Sequence, residues 1–485
     1  MDGFWEDLLV IEPLIGTEVG DERYDDRLAD PSEEGLAARK ATCERAMADA
    51  AAIDGSGLDT DLRTTIDVLE AAARRELDNV RFRMDRFDAV SHLSGPGQLL
   101  AVLATLQRAD TPERLDRYVG RLSGLPAYLD AVGRVATEAA TVGQTVPSLV
   151  ADRSIAQVER LLSLRPEDSP GVMPVANDGD GRDRVVAVLR DDVWPAYQRY
   201  LDVLRAYRPH ARDSIGLSAL PNGDAMYASQ ILAYTTLPLE PQRVHDIGQD
   251  DLAKILDERQ ASAGRLGYPD AERAVAAHTA SGRNTASSRQ DMVRLAEDQV
   301  RRSWDAAPRY FGRLPGANCV VRQVEEFREK DTPDAFYYPP SMDGSRPGIY
   351  FINTSDLDKR PLHHIATTTY HEANPGHHFQ LSIDQGFTER PPLRRFGGIM
   401  AGSAFIEGWG LYSERLADEM GLFLDEYERI GMLEAQAWRA VRLIVDSGIH
   451  ALGWDRERSV QLMERAGIPR VSAEIEVDRY IAWPG

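Results

Sequence analysis

Apolar residues recur at intervals of three or four along most of this chain, the spacing of amphipathic helices. Residues 35–86 predict two helices. Thr111-Pro112-Glu113 combines a capping residue with a first-turn proline and so predicts a helix start. The apolar stripe that follows is typical of a buried helix face, and Pro126 is expected to break or kink that helix. Helical patterns return at about 184–207, 239–265 and 285–312.

The period changes to that of β-strands between about residues 319 and 353. Three segments read as strands: 319–324, 335–338 and 348–353. The last two flank a stretch of turn residues, which predicts a small antiparallel sheet just before a histidine-rich helix. An edge strand there could pair with an extended peptide, and a purely structural hairpin is the alternative.

The clearest predicted loop is 164–183, which contains three prolines with several glycines and aspartates. We therefore expect an N-terminal helical region, 1–183, and a helical catalytic region, 184–485. The second region contains the small sheet and the candidate metal site. The predicted fold is mainly α, a large helical body with a small antiparallel sheet beside the metal-site helix.

Composition narrows the functional classes. The chain of 485 residues carries 56 Lys and Arg against 78 Asp and Glu, a formal charge of −22, which argues against nucleic acid or an anionic membrane as a partner. Its two cysteines are too few for a disulfide framework or a thiolate metal site. There is no basic leader and no apolar run long enough to span a membrane, so we expect a cytoplasmic location. Oligomeric state is not indicated.

Candidate chemistry is concentrated in Tyr370-His371-Glu372-Ala373-Asn374-Pro375-Gly376-His377-His378, in a chain with ten histidines. Neutral histidine is the commonest metal ligand, and a neighbouring glutamate can act as general base. The nearest known motif, H-E-x-x-H, places two histidines on one helix face. Here His371 and His377 are six positions apart, about 120° around a regular helix.

The residues between these histidines offer a solution. Pro375 cannot continue a helix, Asn374 before it is biased away from helical dihedrals, and Gly376 is conformationally permissive. We therefore expect the helix to end or bulge after Glu372 and to return His377 toward His371. His378 is then a candidate for contact with a ligand rather than the metal. The alternative is a helix end capped by ring nitrogens without a metal.

A third ligand is predicted on the next long helix, which begins near residue 404. Glu407 lies among apolar and glycine neighbours and shares a helix face with Glu414, seven residues later. Glu407 could bind the metal while Glu414 orients a ligand. We expect Glu407 to be buried, which would favour a cation nearby; the alternative is an exposed pair. His363 and His364 are interpreted as structural rather than ligating.

These motifs resemble a bacterial family known as domain of unknown function 885, which is similar in fold to the carboxypeptidase Taq metallopeptidases. The matching pieces are the 370–378 motif, 343–348, 407–414 and 445–450, with a weaker match at 20–26. The resemblance covers nearly the whole chain and implies that the helical body is zincin-like. It also implies a further helical stretch after the segment 479–485, where this sequence ends.

The resemblance implies a zinc-type site in which His371 and His377 are histidine ligands and Glu407 is the carboxylate ligand. It implies that Glu372 is the general base. Possible donors to an oxyanion or a substrate carboxylate are Arg346, Tyr412, His450 and Tyr480. The expected function is a Zn²⁺-dependent (or other divalent-metal) hydrolase of amide bonds in short peptides, carboxypeptidase-like, with a deep channel that excludes folded proteins. The alternatives are a hydrolase of a non-peptide amide and an inactive protein that binds peptides or small molecules.

Overall fold

Helices account for most of the protein. A computed structural model describes residues 2–324, 329, 333–340, 346–396 and 403–485. The chain divides into two compact units. The first comprises residues 1–233, 448–459 and 474–485, and the second comprises residues 234–447 and 460–473. The prediction of a mainly α fold is confirmed, whereas the predicted boundary at 183 stays a prediction.

The first unit is helical throughout its described part up to residue 233. Its helices are α1 (Asp2–Ile11), α2 (Pro13–Val19), α3 (Glu33–Ala51), α4 (Thr60–Phe82), α5 (Asp85–Asp88), α6 (Pro96–Leu106), α7 (Pro112–Val142), α8 (Ser148–Ser163), α9 (Gly179–Val188), α10 (Trp194–Tyr207) and α11 (Gly223–Thr235). The last two residues of α11 belong to the second unit. The predicted loop 164–183 contains short 3₁₀ turns at Pro166–Asp168 and Pro170–Val175. Helix α9 begins at Gly179, before the predicted end of this loop.

Helix α7 shows how the hydrophobic pattern selects the core. The Thr111 hydroxyl caps its start by accepting a hydrogen bond from Arg114 N at 3.3 Å. The predicted apolar stripe is buried, with Tyr118, Leu122 and Leu125 fully enclosed. The expected break at Pro126 is wrong, because the helix continues through this residue to Val142. Burial of the stripe on both sides of Pro126 offsets the hydrogen bond that proline removes.

The second unit contains the small sheet and the candidate site. Its helices are α12 (Pro241–Arg265), α13 (Ala271–Ala280), α14 (Arg289–Ala306), α15 (Ile365–Glu372), α16 (His377–Gln385), α17 (Pro392–Arg395), α18 (Ser403–Glu419) and α19 (Glu426–His450). The last three residues of α19 belong to the first unit, and α20 (Arg456–Arg465) and α21 (Arg470–Ala482) are divided between the units.

The sheet is mixed rather than antiparallel. Its strands are β1 (Cys319–Gln323), β2 (Ala335–Tyr338) and β3 (Gly348–Ile352), in the order β1-β3-β2. The predicted antiparallel pairing holds for β2 and β3, whereas β1 runs parallel to β3. The prediction for β1 was wrong because the hydrophobic period of a strand does not encode its direction.

The central strand β3 is buried along its whole length and supports the site helix. Tyr350 and Ile352 of β3 pack in one hydrophobic cluster with Met292 of α14 and Ile365 at the start of α15. Apolar burial of this kind contributes on the order of 1.5–3 kcal/mol per large side chain. The cluster therefore fixes α15, which carries the first predicted ligand, between a helix and the sheet.

None of the helices in the described part of the chain is both long enough and apolar enough to cross a membrane. Both cysteines, Cys43 and Cys319, are free thiols. Burial raises the pKa of each thiol to about 12, so neither is activated as a nucleophile.

Candidate metal centre

The backbone reverses between the two predicted histidine ligands. Helix α15 ends at Glu372 and α16 begins at His377, with a cis peptide bond between Asn374 and Pro375. A Cβ at Gly376 would lie 1.8 Å from the carbonyl oxygen of His371, so only glycine allows the chain to fold back so closely over its own helix end. The predicted end of the helix after Glu372 is confirmed.

Helix α18 closes the other side of this turn. The Trp409 indole N–H donates to the carbonyl oxygens of Pro375 at 2.8 Å and Gly376 at 3.2 Å. The Ser413 hydroxyl donates to the carbonyl oxygen of Tyr370 at 3.1 Å. The Gly376 carbonyl also accepts from the backbone N–H of Gln380 at 3.1 Å, so α18 supplies a second donor there, and it supplies side-chain donors to the carbonyls of Tyr370 and Pro375 at the helix break.

The turn brings three potential ligands together. Nε2 of His371 lies 3.4 Å from one carboxylate oxygen of Glu407, and Nε2 of His377 lies 3.6 Å from the other. The two imidazole rings are perpendicular, with centroids 4.7 Å apart. Donors bound tetrahedrally to zinc at the usual bond lengths lie about 3.3 Å apart. The set of two nitrogens and one carboxylate therefore fits a divalent cation between the three side chains.

The far side of the His371 ring is held by a buried carboxylate. Nδ1 of His371 lies 2.9 Å from Oε1 of Glu414, whose side chain is 1% exposed. The Arg439 guanidinium lies 3.3 Å from the same oxygen. If Nδ1 donates its hydrogen to Glu414, the lone pair of Nε2 points toward Glu407. A carboxylate behind a histidine in this way orients the ring and raises its basicity.

A close approach of α18 makes these contacts possible. A Cβ at Gly410 would lie 2.6 Å from the His371 ring, so a side chain at this position would displace the imidazole. Glycine therefore lets the helix that carries Glu407 and Glu414 pass directly beside the histidine.

The pKa shifts of the cluster favour a positive charge on His371 and a neutral His377. Burial disfavours the protonated form of His371, but hydrogen bonds with Glu407 and Glu414 outweigh it and raise the pKa of His371 to about 9. The hydrogen bond from His371 lowers the pKa of Glu407 to about 2. Burial and the neighbouring charge of His371 lower the pKa of His377 to about 4, which keeps that ring neutral. A metal cation bound by the three groups would be stabilised by the same negative charges, those of Glu407 and Glu414.

Glu372, the predicted general base, follows His371 at the helix end. Burial raises the pKa of its carboxyl to about 7, while the charge of His371 acts in the opposite direction and that of Glu407 adds to the rise. The carboxyl thus lies in the electrostatic field of the ligand cluster and is basic enough to exchange a proton near neutral pH.

The exposure of Glu407 differs from the prediction. Its side chain is 61% exposed, whereas Glu414 on the same face is buried. Phe405, an apolar neighbour that suggested burial, is 43% exposed, and the predicted donor Tyr412 is 52% exposed. The cost of burying a carboxylate charge therefore concerns Glu414 and not Glu407. The assignment of Glu407 as a metal ligand depends on its position between the two histidines.

His378 and Arg346 lie on the sheet side of α16. The buried His378 ring accepts from the Tyr337 hydroxyl at Nδ1, 2.8 Å away, and its Nε2 lies 3.0 Å from the carbonyl oxygen of Ala317. These contacts give His378 a role in joining α16 to β2. Burial raises the pKa of the Tyr337 hydroxyl, and the charge of the half-buried Arg346 acts in the opposite direction. The neighbouring motif residues 343–345 lie outside the described residues.

Two other predicted donors, His450 and Tyr480, belong to the first unit. His450 is fully buried, with Nδ1 3.3 Å from the amide nitrogen of Leu217 and Nε2 2.9 Å from the carbonyl oxygen of Tyr480. The Tyr480 hydroxyl donates to Glu476 at 2.7 Å. Both ring nitrogens of His450 thus serve the packing of its own unit, and a donor role for either residue stays a prediction.

Sequence reasoning did not single out Arg439 or the capping role of Trp409. Arg439 is 68 residues from His371 along the chain, and no motif around it indicates a site. Trp409 lies inside the matched 407–414 segment, so that motif carried a usable signal.

Fold and site together define a mainly α protein with a histidine–histidine–carboxylate cluster at a helix break. The family model for "Bacterial protein of unknown function (DUF885)" matches residues 13–485. The chain belongs to this family. No curated protein matches the sequence.

Two solved structures share the fold. A "putative lipoprotein" from Colwellia psychrerythraea superposes with a TM-score of 0.91 at 25% identity, covering 100% of this chain and 88% of its own. A "putative lipoprotein of unknown function" from Shewanella oneidensis gives a TM-score of 0.76 at 17% identity, covering 99% of this chain and 88% of its own. The second similarity concerns the fold alone.

Proposed function

We propose that this protein is a metal-dependent hydrolase that cleaves amide bonds in short peptides in a carboxypeptidase-like reaction. The observation that carries the proposal is the convergence of Nε2 of His371, Nε2 of His377 and the Glu407 carboxylate at 3.4 and 3.6 Å. These separations suit Zn²⁺ or a similar divalent ion, and three protein ligands leave a position open for chemistry.

The roles of the surrounding residues follow from their contacts. A bound divalent ion would supply Lewis acidity, which acidifies water and polarises a scissile carbonyl. Glu372 would take a proton from the attacking water and deliver it to the leaving amine. Glu414 holds the His371 ring in the orientation that directs Nε2 to the cluster, and Arg439 balances the charge of Glu414.

Substrate recognition is the less specified part of the proposal. Arg346 is a proposed partner for a substrate carboxylate, with Tyr412 as a further proposed donor to the oxyanion or that carboxylate. We also propose that the fold is similar to that of metallopeptidases and that the helical body is zincin-like. A deep channel would restrict substrates to short peptides.

The test combines metal content with digestion of a peptide library. The full chain, loaded with Zn²⁺, is expected to release products from short peptides. Glu372→Gln should keep the metal bound through the 371/377/407 set and lower kcat by at least about a hundredfold, because the proton acceptor is lost. Glu419→Gln, on the exposed end of α18, is the matched control and should leave both quantities unchanged.

Each other outcome points to a different function. Full turnover in Glu372→Gln would remove Glu372 from the role of base. Metal binding without peptide cleavage, but with cleavage of other amides, would indicate a hydrolase of non-peptide amides. Absence of binding at the 371/377/407 set would contradict the metallohydrolase and favour a protein that binds peptides or small molecules without catalysis.

We propose a cytoplasmic location for the protein. The names of the two structural relatives suggest the alternative, which is anchoring to a membrane through a lipid. Fractionation of the producing cells separates the two. Recovery of the chain in the soluble cytosolic fraction would support the first, and recovery with membranes would contradict it.

A further inference from the structure

A second histidine pair meets a carboxylate in the same unit, at the turn before α15. The residues are His363 and His364 in the 3₁₀ turn Leu362–His364, and Glu434 in α19. Nε2 of His363 lies 3.0 Å from Oε2 of Glu434, and Nε2 of His364 lies 2.8 Å from the same oxygen. Two imidazole nitrogens therefore converge on one carboxylate from adjacent positions in the chain.

The orientation of the His363 ring is fixed from behind by Asn284. The side-chain oxygen of Asn284 accepts from the backbone N–H of His363 at 3.1 Å, which identifies this atom as the oxygen. The same oxygen lies 3.0 Å from Nδ1 of His363, so Nδ1 must carry the hydrogen and donate it. In the neutral ring, Nε2 then presents a lone pair to the Glu434 carboxylate.

The separations of 3.0 and 2.8 Å between these nitrogens and the Glu434 oxygen are hydrogen-bond distances, so a second proton on the imidazole lies between each pair. A divalent cation would replace these protons, with the donor atoms moving apart to about 3.3 Å. An N–H donated from the rear nitrogen, with the other nitrogen directed at a shared acidic group, is the usual environment of a histidine ligand. His371 has the same arrangement, in which Glu414 plays the part of Asn284.

The approach of α19 to the turn depends on glycine. A Cβ at Gly431 would lie 1.9 Å from the carbonyl oxygen of His363, so the helix can pass here only without a side chain. Glu434 follows three residues later, which places its carboxylate over the two rings. His364 and Glu434 are 43% and 25% exposed, so water can complete a coordination shell and both side chains have room to adjust.

We propose that His363, His364 and Glu434 form a second divalent-cation site of the zinc type, with solvent as the remaining ligand. His364 and His371 are seven positions apart, about 10 Å along a helix, which is too far for the two ions to act as a binuclear centre. The second site is therefore structural, joining the turn before α15 to α19. This proposal does not depend on the hydrolase function.

Metal stoichiometry of the full chain tests the proposal. After removal of bound metals with a chelator and equilibration with Zn²⁺, elemental analysis should give two equivalents per chain. His364→Gln and Glu434→Gln should each reduce this to one. The double variant His377→Gln/Glu407→Gln, which disrupts the other cluster, should also leave one. Combining the double variant with Glu434→Gln should leave none.

Two controls keep the interpretation clear. His210→Gln alters an exposed histidine of the first unit and should leave two equivalents, which excludes loss of surface-bound zinc. Visible absorption of Co²⁺ bound in place of Zn²⁺ depends on coordination geometry and reports metal binding separately from catalysis. Far-UV circular dichroism confirms that each variant is folded.

The outcomes distinguish this site from the proposed catalytic one. One equivalent in the wild type that is lost in His377→Gln/Glu407→Gln and kept in Glu434→Gln would overturn the second site. Two equivalents that persist in a folded Glu434→Gln would also overturn it. One equivalent that survives in the double variant and disappears on adding Glu434→Gln would support it, even if no peptide is cleaved.

Discussion

At the scale of single residues, the two glutamates of α18 have opposite surroundings although they lie on the same helix face. Glu407 is mostly exposed, and both of its carboxylate oxygens face imidazoles. Glu414 is buried behind His371 and close to Arg439. The difference fits a ligand that must remain reachable from solvent and a partner that must stay fixed. Spacing alone predicted their shared face but not this division.

Replacement of Glu414 tests its orienting role. Glu414→Gln keeps the size of the side chain but weakens its interaction with Nδ1 of His371, so the ring is less firmly oriented and less basic. We expect zinc affinity at the 371/377/407 cluster to fall about 10–100-fold. Competition against a chromophoric chelator measures this change. The control Glu419→Gln should bind zinc as the wild type does, and equal affinity in Glu414→Gln would contradict the assignment.

Residue types and spacing indicated the main cluster because its ligands lie in short motifs. His371, Glu372 and His377 lie within seven consecutive positions, with a proline and a glycine that forecast the helix break. Arg439 and Asn284 could not be found in this way. They are 68 and 79 residues from the histidines they serve, and only the packing of helices brings them close.

At the scale of elements, the metal centre is an intersection of α15, α16 and α18 that requires close backbone approach. Gly376 allows the turn between α15 and α16, and Gly410 allows α18 to pass beside His371. A Cβ at Gly376 would lie 1.8 Å from the carbonyl oxygen of His371, and a Cβ at Gly410 would lie 2.6 Å from the His371 ring. The sequence showed the glycines but not the surfaces against which they pack.

A matched pair of glycine substitutions tests this packing. Gly410→Ala should displace the His371 imidazole and lower zinc affinity by at least about tenfold, since ligand geometry is sensitive to shifts of this size. Gly408→Ala, two residues earlier on α18, meets no atom within 4 Å. It should leave zinc affinity unchanged and stabilise the helix by about 0.5–1 kcal/mol.

Calorimetric zinc titration and denaturant unfolding of both variants provide the measurements. If Gly410→Ala bound zinc like Gly408→Ala, the His371 ring would not be confined by α18. The result would contradict the geometry of the cluster and not only its function.

The small sheet shows the limit of pattern-based prediction at this scale. The three strand positions were predicted within one residue at either end, because alternating β-branched and aromatic residues report a pleated, half-buried surface. The direction of β1 was not, since parallel pairing is set by the path of the connection between strands. Likewise α7 runs through Pro126 because the surrounding core stabilises it.

At the scale of the whole molecule, the acid stability of the chain should depend partly on a half-buried histidine far from the metal motifs in sequence. His92, in the first unit, has a buried Nδ1 without a hydrogen-bond partner among the described residues. Burial, with the charge of Arg153, lowers the pKa of His92 from 6.5 to about 4. The ring is therefore neutral in the folded protein over a range where it is charged in the unfolded chain.

The sign of the effect follows from proton linkage. Below pH 6.5 the unfolded chain binds a proton at His92 that the folded protein does not, so the free energy of unfolding falls as the pH decreases from 6.5 toward 4. The full shift corresponds to at most about 3 kcal/mol, and partial solvation of the ring reduces it to about 1–2 kcal/mol. Above pH 6.5 the contribution is constant.

His92→Phe removes the titration while keeping a ring in the cavity. We expect urea midpoints of wild type and variant to differ little at pH 7.5 but to diverge at pH 5, where the wild type should be destabilised by about 1–2 kcal/mol more than the variant. Other carboxyl groups that titrate in this range affect both proteins equally, so the difference between the two midpoints isolates His92. A constant difference from pH 7.5 to pH 5 would mean that His92 titrates alike in the folded and unfolded states, and the acid sensitivity of the molecule would then have to arise elsewhere.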